Sequence, residues 1–145
     1  MEIGFIGAGK VGRALGLYFK RHGLKLTGYY SKTAKSAQEA AMVTGSQAFT
    51  EIQDLACACK IIFITVPDHA FQTIDKQVSK FAEEKDIGKD LIWFHVSGAH
   101  SSGYLSGIIS AGFDVGSMHP LQSFGEPLSS AEQLEKAWFT IEGTG

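Results

Sequence analysis

Two short segments carry the side chains best suited to acid–base chemistry, His95-Val96-Ser97 and Ser117-Met118-His119. A histidine with an ordinary pKa of about 6.5 can take up or release a proton near neutral pH. A serine hydroxyl beside it can orient a carbonyl, an imine or an alcohol. We therefore predict that His119, Ser97 and His95 act in catalysis, handling the proton that accompanies a hydride transfer. For His95 we favour the structural alternative, a strand-end histidine held by backbone groups.

A glycine-rich turn, Gly7-Ala8-Gly9-Lys10-Val11-Gly12, directly follows an apolar run near the N-terminus. In this G-x-G-x-x-G pattern Gly7 permits a tight turn, Gly9 leaves room for a pyrophosphate, and Gly12 lets a helix pack close to the sheet. The helix N-terminus then faces the phosphates with its N–H groups and its dipole. The pattern predicts dinucleotide binding through Gly7, Gly9, Lys10, Val11 and Gly12. The alternative is a strand–turn–helix unit that binds nothing.

The choice between NAD and NADP depends on the segment Tyr29-Tyr30-Ser31-Lys32-Thr33. Folds that select NAD usually place a carboxylate there, about twenty residues beyond the glycines, to bind the ribose 2′-hydroxyl. No carboxylate is present here, and a hydroxyl followed by an ammonium group can bind a 2′-phosphate. We therefore predict NADP rather than NAD, bound by Ser31, Lys32 and Thr33. The alternative is that Ser31 caps the next helix and Lys32 is a solvated charge.

A further loop, Val66-Pro67-Asp68, follows the most apolar stretch of the chain, residues 60–66. We expect this loop to pass near the ribose or nicotinamide of the cofactor, and we include Val66, Pro67 and Asp68 among the cofactor-binding residues. For Asp68 the favoured role is to cap the next helix.

Apolar runs and helical spacings alternate along the chain, which predicts a doubly wound, mainly parallel α/β sheet of the Rossmann type flanked by helices. Ligands bind such sheets at the carboxyl ends of the strands, which is where the segments above are placed. Residues 49–57 are predicted as a connector with one helical turn, and residues 121–137 as a loop with about one turn. The predicted strands are 3–6, 24–30, 60–66, 91–96, 115–118 and 138–141. The first predicted helix runs from the glycine turn to residue 22, and the others span 33–43, 71–81 and 105–109.

Composition narrows the classes of protein. The 145 residues fit one domain, and thirteen basic against fifteen acidic side chains leave a net charge of −2, which offers no case for nucleic acid or an anionic membrane surface. The sequence has no apolar run long enough for a membrane span and no N-terminal targeting segment, so we expect a cytoplasmic protein. Cys57 and Cys59 are expected to be reduced thiols entering the core. We predict no metal site, because the spacing of His95, His100 and His119 matches no compact ligand motif.

In their order, the motifs GAGKVG, YSKT, ITVPD, HVSGAHSS and GSMHPLQSF resemble the N-terminal domain of Rossmann-like oxidoreductases of the 6-phosphogluconate-dehydrogenase-like superfamily. Relatives include pyrroline-5-carboxylate reductase, ketopantoate reductase and prephenate dehydrogenase. The resemblance implies a 2′-phosphate site at Ser31, Lys32 and Thr33, and it places Ser97 and His119 near the substrate. It also implies a C-terminal helical substrate and dimerisation domain that is absent from residues 1–145, so we expect a homodimer or a partner chain that supplies it.

These observations predict residues 1–145 to be the NADP-binding domain of an oxidoreductase that acts on a C=O, C–OH or C=N group of a small metabolite. A non-catalytic nucleotide-sensing module is the main alternative, and a methyltransferase using S-adenosylmethionine is a third. Both alternatives favour an acidic residue after the second strand, where this chain has Ser31 and Lys32.

Overall fold

The computed structural model describes residues 2–143 and forms one seven-stranded sheet in the order β3-β2-β1-β4-β5-β6-β7. The strands are β1 Glu2–Ile6, β2 Lys25–Tyr30, β3 Gln47–Phe49, β4 Ile61–Ile64, β5 Ile92–His95, β6 Asp114–Pro120 and β7 Phe139–Gly143. Neighbouring strands from β3 to β6 are parallel, and β7 pairs with β6 in the antiparallel direction. The chain runs outward from β1 to β3 and then returns to β4 beside β1. This confirms the predicted doubly wound sheet and places its switch point between β1 and β4.

Six helices cover the two faces of the sheet: α1 Lys10–Arg21, α2 Ala34–Thr44, α3 Ile52–Cys57, α4 Phe71–Glu84, α5 Ser106–Ser110 and α6 Pro127–Leu134. Short 3₁₀ turns lie at Asp68–Ala70 and Ser102–Tyr104. The spacing that predicts α4 is confirmed, because Phe71, Ile74, Val78 and Phe81 are all buried. None of the helices within residues 2–143 is long and apolar enough to cross a membrane.

The core consists of two apolar clusters, one on each face of the sheet. Alternate residues of a strand point to opposite faces, so Phe63 of β4 packs with Phe5 and Phe19 against α1, whereas Ile62 and Ile64 pack against α3 and α4. The Phe5 and Phe63 ring centroids are 5.7 Å apart, in a stack that continues to Phe94. Burial on both faces explains why β4 reads as an uninterrupted apolar run.

The region after β5 contains more regular structure than the sequence predicts. Residues 121–137 are predicted as a loop with about one helical turn, but they contain the longer helix α6, which has eight residues. The Glu126 carboxylate accepts hydrogen bonds from the N–H groups of Leu128 and Ser129, and Pro127 occupies the first helical turn. An acceptor followed by proline is a helix start signal that was available in the sequence. The helix then buries Ala131 and Leu134 against the face that carries α1.

Three further predictions need correction. The connector predicted at 49–57 contains its helical turn as α3, but no strand is predicted for residues 47–49, which form β3, a three-residue edge strand too short to give a periodic signal. Strand β6 does not end before His119-Pro120 but runs through Pro120, because β7 pairs with it as far as Phe139. Cys59 is buried as expected, whereas Cys57 is exposed at the end of α3 and does not enter the core.

Candidate functional site

The glycine turn between β1 and α1 has the backbone that its sequence predicts. Gly7 has a φ of +111°, a conformation that favours glycine, and its N–H donates to the Tyr30 carbonyl at 2.8 Å. A Cβ on Gly12 would lie 2.5 Å from the Gly7 carbonyl oxygen, so only glycine lets α1 begin directly above the turn. The Thr65 hydroxyl donates to the same Gly7 oxygen at 2.9 Å and ties the turn to the end of β4.

Gly9 is different, because it faces open space. No heavy atom lies within 4 Å of a Cβ built on it, and it is the N-cap residue of α1 without a side-chain cap. No acidic residue lies in the first turn of that helix. The N-terminal N–H groups of α1 and its positive dipole end therefore face a gap that a side chain on Gly9 would fill. An anionic group such as a pyrophosphate fits this cradle.

A cleft of about 960 Å³ opens in front of this cradle, along the carboxyl ends of β1, β2, β4 and β5. It brings together most of the predicted cofactor-binding residues and one predicted catalytic residue: Gly7, Gly9, Lys10, Val11, Ser31, Lys32, Val66, Pro67, Asp68 and Ser97. The two remaining cofactor-binding residues lie outside the lining. Gly12 is buried beneath the turn, and the Thr33 hydroxyl caps α2 by accepting from the Ser36 N–H at 3.3 Å.

The cleft also has walls that the sequence analysis did not single out. Thr73 and Gln77 line it from α4, and Tyr30 and Ser36 line it near Lys32. Thr73 and Gln77 could have been found, because they flank the buried stripe of α4 at a spacing of four residues. Ser36 had no such signal, since its place in the cleft depends on how α2 packs against the sheet.

Ser31 and Lys32 remain available to a ligand. The helix cap after β2 is Thr33 and not Ser31, so the structural alternative for Ser31 is wrong. Within residues 2–143 the side chains of Ser31 and Lys32 make no hydrogen bond or ion pair. A hydroxyl and an ammonium group thus lie side by side at the end of β2, both at the wall of the cleft.

Asp68 does not cap a helix, contrary to the favoured prediction. No side chain caps the Asp68–Ala70 turn, and α4 begins after Ala70 without a side-chain cap. The Asp68 carboxylate lies instead 3.7 Å from Nε2 of His100, whose ring stacks on Tyr104 at a centroid distance of 3.9 Å. This contact joins the loop after β4 to the loop after β5 across the end of the cleft.

His95 is fully buried and both of its ring nitrogens are engaged by backbone. Nε2 lies 2.8 Å from the Ser101 carbonyl oxygen, and Nδ1 accepts from the Ser97 N–H at 3.2 Å. Burial is the main cause that lowers the pKa of His95, which favours the neutral ring. Both ring nitrogens of His95 are therefore occupied by backbone groups, and neither is free to contact a substrate.

Ser97 follows the end of β5, and His119 lies near the end of β6. Both residues are therefore at the same edge of the sheet as His95. Ser97 lines the cleft, and its hydroxyl accepts from the Ala99 N–H at 3.2 Å. Nδ1 of His119 lies 3.1 Å from the Val96 carbonyl oxygen, and its Nε2 lies against Gly98, where a Cβ would come within 2.6 Å of it. The two segments that carry these side chains therefore meet, as their placement at neighbouring strand ends predicts. His119 itself does not line the cleft.

Among residues 2–143 no group of three or more histidine, cysteine or acidic side chains is arranged to hold a metal ion. His95, His100 and His119 are each engaged separately, His95 and His119 by backbone oxygens and His100 by Asp68.

Comparison with known proteins identifies a family for this chain. A sequence model of a family described as a Rossmann-like domain matches residues 1–120. A search of curated proteins finds no match.

Several solved structures share the fold. A Bacteroides fragilis protein assigned as an NADP oxidoreductase superposes with a TM-score of 0.80 at 21% identity, covering 99% of this chain and 52% of that one. An arogenate dehydrogenase from Synechocystis gives 0.74 at 23%, covering 99% and 50%. A pyrroline-5-carboxylate reductase from Coxiella burnetii gives 0.69 at 11%, covering 90% and 46%. The chain thus spans about half the length of these proteins, and the fold expected from the motif resemblance is confirmed.

Proposed function

Because the chain belongs to the Rossmann-like domain family, we propose that it is the NADP-binding domain of an oxidoreductase acting on a C=O, C–OH or C=N group of a small metabolite. The observation that carries the proposal is the cleft, which joins the glycine cradle, Ser31 with Lys32, and Ser97 in one continuous wall. An arogenate dehydrogenase, a pyrroline-5-carboxylate reductase and a protein assigned as an NADP oxidoreductase share its fold. Their names support this reaction class.

The residues of the cleft divide between two ends of the cofactor. Gly7, Gly9 and the N-terminal turn of α1, with Lys10 and Val11, would hold the pyrophosphate. Ser31 and Lys32 would bind the 2′-phosphate, and Thr33 would support them by fixing the start of α2. This arrangement favours NADP over NAD, because an ammonium group attracts a dianionic phosphate that NAD lacks. Val66, Pro67 and Asp68 would border the ribose and nicotinamide.

NADP supplies the hydride donor or acceptor when it is bound. The chain's own part is then to orient the substrate and to handle its proton. We assign proton transfer to Nε2 of His119, since its Nδ1 is already engaged by the Val96 carbonyl. Ser97 lines the cleft and would orient the reacting carbonyl, imine or alcohol. His95 would act only through the Ser97 backbone, since neither of its nitrogens reaches a ligand.

We further propose that substrate binding is completed by another set of residues. The chain spans about half the length of the solved structures that it resembles, and His119 does not line the cleft. A helical substrate domain outside residues 1–145 would close over Ser97 and His119.

The position of His119 also favours a second candidate function, a nucleotide-sensing module without chemistry of its own. In that case NADP would bind in the same way, and the only role of His119 would be its structural contact with the Val96 carbonyl. The two candidates differ in one measurement, which is NADPH consumption in the presence of small carbonyl, imine and hydroxy-acid compounds. Turnover that His119→Gln abolishes supports the oxidoreductase. Binding with no turnover in a broad screen supports the sensor.

Titration with NADPH and with NADH, followed by fluorescence or thermal stabilisation, tests the cofactor proposal. We expect tighter binding of NADPH, and Lys32→Glu should weaken NADPH binding by about 10- to 100-fold while changing NADH binding little. Lys35→Glu is the matched control, because it makes the same charge change on α2 without lining the cleft. Equal effects of the two variants, or an unchanged NADPH affinity in Lys32→Glu, would refute the assigned 2′-phosphate site.

A further inference from the structure

We infer that His95 is a positioning residue, held as the neutral Nε2–H tautomer, that fixes the loop 97–101 in front of His119. The inference rests on the proposed function for its importance, because that function gives Ser97 and His119 the work at the substrate. It assigns to His95 a role in geometry and not in proton transfer.

The protonation state of His95 follows from its two backbone partners. A carbonyl oxygen can only accept a hydrogen bond, so the contact with the Ser101 oxygen at 2.8 Å requires a proton on Nε2. A backbone N–H can only donate, so the contact with the Ser97 nitrogen at 3.2 Å requires a lone pair on Nδ1. One tautomer of the neutral ring satisfies both. His95 thereby connects the first residue of the loop to the last.

The surroundings of His95 favour this neutral state. The side chain is fully buried, with the Phe71 ring centroid 5.4 Å from its own. Burial is the largest effect and lowers the pKa of His95. The hydrogen bond to the Ser101 carbonyl opposes it, the nearby charge of His100 lowers the pKa further, and Glu142 and Asp68 raise it by less. Protonation of Nδ1 would also set two N–H groups against each other and release Ser97.

A second anchor holds the residue that follows the loop. Glu142 of β7 accepts from the Ser102 N–H at 3.2 Å and from the Ser102 hydroxyl at 2.7 Å. Ser97 and Ser101, the two ends of the loop, are therefore held by His95, and the next residue, Ser102, is held by Glu142. The Ser117 position of β6 pairs with Glu142, so the same strand pair that carries His119 also carries this anchor.

His119 needs the opposite tautomer. Its Nδ1 faces the Val96 carbonyl at 3.1 Å and must carry a proton, so that in the neutral ring the lone pair is on Nε2. Nε2 lies against Gly98, in the middle of the loop that His95 fixes. The two histidines therefore hold opposite tautomers at neighbouring strand ends, and the position of the loop sets the space in front of the free nitrogen.

Nuclear magnetic resonance of the protein with ¹⁵N-labelled histidine rings tests the tautomers directly on the unmodified chain. The five histidines are assigned through single His→Gln variants, and two-bond proton–nitrogen correlations are recorded from about pH 5 to about pH 8. We expect His95 to show the neutral Nε2–H pattern at neutral pH and to keep it below the pH at which a free histidine titrates, and His119 to show Nδ1–H wherever its ring is neutral. An Nδ1–H pattern for His95, or its titration near the ordinary value, would overturn the inference.

Hydrogen exchange of the Ser97 amide tests the positioning role. His95→Phe removes both bonds and should accelerate Ser97 exchange about five- to tenfold, whereas His95→Gln keeps a donor and an acceptor and should restore part of the protection. His69→Phe makes the same change at an exposed histidine and should leave Ser97 unaffected. Unchanged exchange in His95→Phe contradicts the inference. If His95→Phe fails to fold, the tautomer pattern of the unmodified chain still decides it.

These results are separate from the NADPH titration. Loss of NADPH binding with the expected tautomers would refute the proposed function alone. Retained NADPH binding with the wrong tautomer for His95 would refute only the present inference.

Discussion

The two sides of the cleft are shaped by different parts of the chain. The glycine side, residues 7–12, is formed by backbone: a positive φ at Gly7, a helix N-terminus, and a Gly9 position that faces open space. The histidine side, residues 95–102 with His119, is formed by side chains that bind backbone groups: His95 binds its own loop, and His119 binds the neighbouring segment. One side needs the absence of side chains, and the other needs particular side chains.

This difference predicts which property a substitution changes on each side, ligand binding or local order. At Gly9 an added side chain removes the space for a ligand but meets no heavy atom of the protein within 4 Å of its Cβ. On the histidine side an altered atom breaks contacts between strands, because Ser102 and Glu142 are 40 residues apart in sequence and Val96 and His119 are 23 apart. Substitution of Gly9 should therefore change binding, and substitutions on the histidine side should change local order first.

Gly9→Val should have the largest effect. Its side chain would enter the space in front of the α1 N-terminus, where nothing lies within 4 Å of a Cβ. We expect dinucleotide affinity to fall about 100-fold or more while thermal stability changes little. Calorimetric titration with NADPH measures the first quantity and a melting curve the second.

Two glycines serve as controls for Gly9. Gly125→Val also points into open space but lies away from the cleft, so it should leave binding unchanged. Gly12→Val would place its Cβ 2.5 Å from the Gly7 carbonyl oxygen and should lower stability by about 1–3 kcal/mol. If Gly9→Val bound NADPH as tightly as Gly125→Val, the result would refute a pyrophosphate site in front of Gly9.

Gly98→Ala should have an intermediate effect on the histidine side. The new Cβ would lie 2.6 Å from Nε2 of His119, and the His119 ring can move whereas the backbone of β6 cannot do so easily. We expect the His119 ring resonances to shift and turnover of any accepted substrate to fall about tenfold, or about 1.4 kcal/mol in the barrier. NADPH affinity should change less than about twofold.

Gly103→Ala controls for the loss of a glycine in the same region, because its Cβ would meet nothing closer than 3.6 Å. Equal His119 spectra in wild type and Gly98→Ala would mean that the loop does not set the space before Nε2.

The same contrast explains what the sequence could predict. The turn and α1 follow from residues within one short segment, as do β4 from its apolar run and α4 from the spacing of Phe71 to Phe81. The cap by Glu126 and Pro127 is equally local. The sequence therefore contained the signal for α6, although the region was predicted as a loop with about one helical turn. Local patterns also led to a wrong assignment, since Asp68 has the residue type and position of a cap but contacts His100 instead.

The histidine side was only partly accessible for a physical reason. That His95 and Ser97 lie near His119 follows from parallel strand ends sharing one edge. The bond from His119 to the Val96 carbonyl depends on the pairing of β5 with β6, and the contact of Glu142 with Ser102 depends on the pairing of β6 with β7. No spacing rule links residues so far apart, and their register is set by the packed sheet.

The smallest predicted effect is a difference in acid sensitivity between the two sides. Two hydrogen bonds from Ser102 hold the pKa of Glu142 below its usual range, and burial lowers the pKa of His95. For both groups the unfolded chain binds a proton before the folded chain does. Their contribution to stability is therefore present at neutral pH and decreases as pH falls, from about 6.5 for His95 and about 4.3 for Glu142.

Exchange protection of individual amides, measured as pH is lowered from about 7 to about 4, compares the two sides directly. Protection of Ser97 and Ser102 should fall before that of Gly7 and Arg13, whose amides donate to the Tyr30 and Gly9 carbonyls, because neither of these bonds involves a histidine or a carboxylate. Glu142→Gln should remove part of this pH dependence at Ser102. Glu126→Gln is a close control, since Glu126 is also exposed, accepts two backbone N–H groups and has a lowered pKa, but it caps α6. A uniform loss of protection on both sides would show that the histidine side is no more dependent on charge than the glycine side.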